Sequence, residues 1–145
     1  MREQRIMNSD LQKAKELLII SNKTCVLCKS DTIYTSTERG VKPLLDWLED
    51  PVDLQGVSVA DKVVGKAAAF LYVLLKIKEI YAPVMSRGAV EIFVQYGIHA
   101  EYDCQVERII NRAGTGFCPM EEAVMEAATP EQAREAIIET MSRLM

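Results

Sequence analysis

Apolar residues recur along this chain with two periods, and each switch between them marks an element. Leu11, Ala14, Leu17 and Leu18 fall on one helical face behind Asn8 or Ser9, either of which can cap a helix running to about Ile20. Thr24-Cys-Val-Leu-Cys28 and Thr32-Ile-Tyr-Thr35 read as strands around a Lys29-Ser30-Asp31 turn, a β-hairpin. Gly40 precedes a short amphipathic helix carrying Leu44, Leu45, Trp47 and Leu48, ended by Asp50-Pro51. Residues 51–57 form a loop around Gly56, after which Ser58 or Asp61 is expected to cap a helix from about Asp61 to Ile77. From Val63 to Leu75 that segment is apolar almost all round, so it belongs inside the protein, covered on several sides.

Glu79 to Met85 reads as a strand, and Ser86 caps a helix that turns Ala89, Val90, Phe93 and Val94 inward. Gly97 suits the left-handed position at its end. Ile98 to Tyr102 is a further strand, and Val106, Ile109 and Ile110 suggest a helical turn. A loop, Asn111 to Cys118, leads to Pro119 at the favoured first position of another helix. Thr129-Pro130-Glu131-Gln132 is a capping box opening a last helix that buries Ala133, Ala136, Ile137, Met141 and Leu144. Strands alternating with helices predict a three-layer α/β/α sandwich around a mixed sheet that begins with an antiparallel hairpin. The segment from residue 8 to 145 reads as one domain, with residues 1–7 as an N-terminal extension.

Composition narrows the classes of function. A chain of 145 residues can bury a core without a disulfide or metal staple. The formal charge is −4 and basic runs are absent, which disfavours sequence-independent nucleic-acid binding. Residues 118–145 hold six Glu against two Arg, which reads as a solvated acidic face. The N-terminus lacks a signal-peptide core, and the longest apolar run, Ala67 to Leu75, falls far short of the ~20 residues a membrane span requires. The expectation is a cytoplasmic protein without a membrane segment, its four cysteines mostly reduced.

Lys66 is the most informative candidate, the only charge between Val63 and Leu75. An unpaired buried ammonium is costly, and helical side chains lean toward the helix N-terminus, where a pocket would open. The plainer alternatives are an ion pair with Asp61 or Glu121, or snorkelling. Gly65 is expected to permit close packing. Gly114-Thr115-Gly116 could present backbone N–H groups to an anion, flanked by Asn111 and Arg112, although Glu121 and Glu122 would repel a phosphate. Cys118 precedes a helix start, where a thiolate is favoured, or else is a structural thiol. Cys25-Val-Leu-Cys28 resembles a redox pair in spacing only. Within a strand its thiols face opposite sides of the sheet, so both read as packing.

Thr37 to Asp46, Val57 to Leu74 and Ile109 to Val124 together resemble an uncharacterised prokaryotic family, a domain of unknown function placed in the cytidine-deaminase-like fold. The resemblance spans about Leu11 to Met141. It implies an α/β/α sandwich around a mixed sheet. True deaminases carry His-x-Glu on one helix and Pro-Cys-x-x-Cys on the next. The matching regions here are Asp61-Lys62-Val63 and Cys118-Pro119-Met120-Glu121, which leave at most one of three zinc ligands. No zinc-dependent deamination and no cofactor are expected.

Two function classes remain. One is a small-molecule protein, either a binder or a non-zinc enzyme. It would hold a nucleotide-like ligand in a remodelled pocket formed by Asp61, Lys62, Lys66, Asn111, Gly114, Thr115, Gly116, Cys118 and Glu121. The other is a non-catalytic interaction or assembly module, with the last helix as a homo-oligomer contact. A thiol protein using Cys118 ranks below both.

Overall fold

The computed structural model describes residues 9–38, 40–50, 52–110, 114, 116 and 118–144. Helix α1 (Asp10–Ile20) starts at Ser9, whose side chain accepts from the Gln12 amide. Strands β1 (Cys25–Lys29) and β2 (Thr32–Ser36) form the expected hairpin, with Lys29 opposite Thr32 and Ser30 at φ 54° in the tight turn. Asp10 accepts from the Ser30 amide and Lys13 donates to the Ser30 carbonyl, so α1 holds the turn. Helix α2 (Lys42–Glu49) follows, with proline in its first turn.

The next segment corrects the sequence expectation. Asp61 does not cap a helix. It ends strand β3 (Ser58–Asp61), and Val63–Val64 form a short β4. Helix α3 (Lys66–Leu75) begins only after Gly65. The β-branched Val57, Val59, Val63 and Val64 favour extended backbone, and that preference wins over the apolar continuity into the helix. Strand β5 (Glu79–Ser86) runs directly into α4 (Arg87–Gln95), capped by Ser86 as expected. Strand β6 (His99–Val106) extends four residues beyond Tyr102 and replaces the helical turn expected at Val106. Helices α5 (Pro119–Ala123) and α6 (Pro130–Leu144) close the described chain.

Strand order is β2-β1-β3-β5-β6. β4 continues β3 along the same edge of β5, since Ala60 pairs with Tyr81 and Val63 with Val84 in one register. β1 is antiparallel to both neighbours, while β3, β4, β5 and β6 run parallel, so the sheet is mixed as predicted. Among the described residues, helix α1 is the element on one face, over Val26, Cys28, Ala60 and Tyr81. The main core lies on the other, where Cys25, Leu27, Val59, Ile80 and Ala82 meet α3. Cys25 and Cys28 thus point to opposite faces, as strand alternation required.

Helix α3 is apolar all round because α2, α4, α5 and α6 all pack on it. The covering face of α6 consists of Ala133, Ile137 and Thr140. Two inward assignments are corrected: Val94 is 74% exposed and Leu144 63% exposed, each falling outside its helix's buried stripe. No helix among the described residues is long and apolar enough to cross a membrane.

Candidate functional site at the carboxyl edge of the sheet

The parallel strands β4, β5 and β6 deliver their carboxyl ends to one edge, where α3 and α4 also begin. The two helix starts touch. A Cβ on Gly88 would lie 3.3 Å from Lys66 Cβ. Helix starts expose backbone N–H groups that need acceptors. At α4 the Ser86 hydroxyl accepts from the Ala89 amide at 3.1 Å. At α3 no side chain of its own cap does this. Glu121, reaching across from α5, takes the Lys66 amide on Oε1 at 2.8 Å and the Ala67 amide on Oε2 at 2.9 Å.

Gly65 makes room for that carboxylate, because a Cβ there would come within 2.5 Å of it. In return the Lys66 ammonium donates to the Met125 carbonyl at 3.2 Å, just past the end of α5, and lies 5.8 Å from the Phe70 ring centre. Anion at one helix start and cation at the other helix's end both follow the sense of the helix dipoles. Glu121 therefore bonds the backbone of Lys66, and the ammonium finds a carbonyl instead of either expected carboxylate.

Asp61 belongs to a different group. Tyr72 Oη donates to Asp61 Oδ2 at 2.6 Å, and Cys25 Sγ lies 3.1 Å from Tyr72 Oη. With the phenol proton directed at Asp61, the thiol is the donor to the phenol oxygen. Burial raises the Asp61 pKa to about 6, while bonds from Tyr72 and from the Val63 and Lys62 amides favour the ionised form. Burial and the adjoining Asp61 charge push Tyr72 well above its ordinary range, and the same two causes push Cys25 up. A carboxyl half-ionised near pH 6 suits proton transfer close to neutrality. The sequence did carry a signal for Tyr72, the only polar tip in Ala67 to Leu75, because a buried phenol requires a partner.

Two residues past Asp61, Val63 forms one wall of an open concavity of about 770 Å³. Val84, Val106 and the chain from Glu107 to Ile110 form the rest. Its surface is mainly branched aliphatic. A second concavity, of about 220 Å³, lies between Trp47, Val52 and Leu74 at the far end of α3.

The predicted site residues are therefore divided. Lys66 and Glu121 meet, and Cys118 begins the helix that carries Glu121, its carbonyl accepting from the Glu121 amide. Asp61 sits with Tyr72 and Cys25. Lys62 is exposed at the break between β3 and β4, its amide donating to the Thr24 carbonyl at 3.1 Å. Gly114 (φ 72°) and Gly116 are exposed. Asn111, Arg112 and Thr115 lie outside the described residues. The aliphatic walls were not singled out in the sequence, because valines in strands ordinarily signal core.

A zinc ion would require three protein donors. Among the described residues no group of three His, Cys, Asp or Glu side chains is placed to supply them.

A family model described as a domain of unknown function (DUF1893) matches residues 13–141. A crystal structure of a DUF1893 family protein from Thermotoga maritima is similar to this chain, with a TM-score of 0.82 and 29% sequence identity. The match covers 94% of this chain and 90% of that one. No curated protein matches.

Proposed function

Because the chain belongs to the domain-of-unknown-function family DUF1893, we propose a function from its own geometry: it binds a small nucleotide-like molecule at the carboxyl edge of its parallel strands. The open concavity beside Val63, Val84 and Val106 carries this reading. Ligands of α/β sheets collect at that edge, and 770 Å³ falls within the roughly 300–1,000 Å³ of small-molecule sites. The proposed ligand contacts are those of Val63, Val84, Val106 and the chain from Glu107 to Ile110; Asp61, bonded to Tyr72 in the core, and Lys62 do not line this concavity. Lys66 and Glu121 serve as frame, fixing α5 against α3.

The antiparallel hairpin and the parallel strands after it support a cytidine-deaminase-like frame. Deaminase chemistry is not part of the proposal. Asp61-Lys62-Val63 spans a strand break, where a helix-borne ligand motif would be needed. Cys118 lacks the second cysteine of the other motif.

Val63→Trp tests the proposal. Val63 is 47% exposed, so the indole can fill the concavity without disturbing the core. In equilibrium titrations against nucleosides and nucleotides, the variant is expected to lose at least about tenfold in affinity (~1.4 kcal/mol), with its melting temperature preserved. Wild-type affinity in the variant contradicts the site.

A further inference from the structure

We propose that Asp61 is a positioning residue for the carboxyl-edge concavity: its ionised carboxylate fixes the Val63 wall, so that a ligand binds more tightly when Asp61 carries its charge. The inference rests on reading the Val63–Val84–Val106 concavity as the ligand site.

Asp61 ends β3, and the strand breaks at Lys62 before β4 begins at Val63. The carboxylate accepts from the Lys62 and Val63 amides and, at 2.6 Å, from the Tyr72 phenol. Tyr72 is fully buried within α3, so these bonds tie the break to the central helix. Other restraints on the wall are few. β4 has two residues, paired with Val84 and Met85 of β5. Val64 is buried, but Val63 is 47% exposed, so packing constrains its side chain less. Val63 stands opposite Val84, a second wall residue, and a shift of the break changes the spacing between them.

Hydrogen bonds to an ionised carboxylate are roughly twice as strong as those to a neutral acid. Protonation of Asp61 therefore loosens both amide bonds at the break, and burial brings that protonation to about pH 6. The groups facing Asp61 are Cys25, opposite it on β1, Tyr72 from α3, and Lys62, exposed and next along the chain. β5 turns Ile80 and Ala82 to the same face, while α1 lies on the other. Burial and the Asp61 charge push Cys25 and Tyr72 upward, so both stay neutral while Asp61 titrates. The single histidine, His99, starts β6 at the opposite end of the sheet and pairs with Glu101.

Calorimetric titration of the wild-type chain with adenosine and with cytidine, at pH 5 and at pH 7.5, tests this directly. Nucleosides are used because a phosphate group would titrate in the same range. The tighter of the two is expected to bind at least about threefold more weakly at pH 5. By linkage, saturating nucleoside is expected to lower the Asp61 midpoint, read from carboxyl chemical shifts. Asp61→Asn is expected to show one affinity at both pH values, near that of the wild type at pH 5. In Tyr72→Phe, the second variant, the affinity profile is expected to move to higher pH together with the carboxyl midpoint. A wild-type affinity equal at the two pH values, or a pH dependence that Asp61→Asn retains, overturns the inference and leaves the proposed site standing. Absence of binding by both nucleosides at both pH values overturns both. The wild-type comparison decides the matter even if a variant does not fold.

Discussion

At the scale of single residues, the hydrogen-bonded line from Cys25 through Tyr72 to Asp61 combines a core function with a titration near neutrality. Asp61 has a folded pKa of about 6 against an ordinary 3.8. The folded state thus binds the proton more tightly than the unfolded chain. Its contribution to stability is fully present below about pH 4 and is lost as pH rises through 6. With one pKa unit worth about 1.4 kcal/mol, the loss is on the order of 2–3 kcal/mol. Tyr72→Phe removes a bond that favours the ionised carboxylate. Carboxyl chemical shifts followed by NMR are expected to place the Asp61 midpoint above 6 in that variant. Denaturant unfolding at pH 7.5 is expected to show about 1.5–3 kcal/mol lost. An unmoved midpoint would mean that the phenol does not govern the carboxyl.

At the scale of elements, the docking of α5 on α3 explains what was legible in the sequence and what was not. The buried central helix, the hairpin, the Ser86 cap and the proline start of α5 were all readable, because periodicity and capping are local. Gly65 was expected to serve close packing, and it does so against Glu121. The start of α3 was misplaced because β3, Val64 and the helix are all buried and apolar, and hydrophobicity alone does not separate strand from helix there. Lys66 and Glu121 were both named, but their relation depends on two segments 55 residues apart in sequence meeting through backbone amides, which no side-chain pattern records.

The same geometry predicts a thermodynamic coupling. Gly65→Ala forces the Glu121 carboxylate off the α3 amides, and Glu121→Ala removes it. Each is expected to cost about 0.5–2 kcal/mol, the range for a lost helix cap. The double variant is expected to cost little more than either single one, since both remove one interaction. Fully additive losses in urea unfolding would show that Gly65 and Glu121 act independently.

At the scale of the whole molecule, the mixed sheet has unequal faces and unequal ends. Among the described residues one face is covered by α1 and the other by a helix layer with α6 packed outside it. The end where β4, β5 and β6 finish carries both helix starts and an open aliphatic concavity. Ser86 and Glu121 cap the helix starts, whereas the concavity is open among the described residues. The proposed ligand site lies at that end, and the smaller hollow by Trp47 serves as its control. The most direct measurement is a methyl-resolved NMR titration of the full chain with adenosine or cytidine. Saturable shifts are expected at Val63, Val84, Val106, Ile109 and Ile110, with Val52 and Leu74 unmoved. Shifts centred on Val52 and Leu74, or none at the carboxyl edge at saturating ligand, would contradict the account.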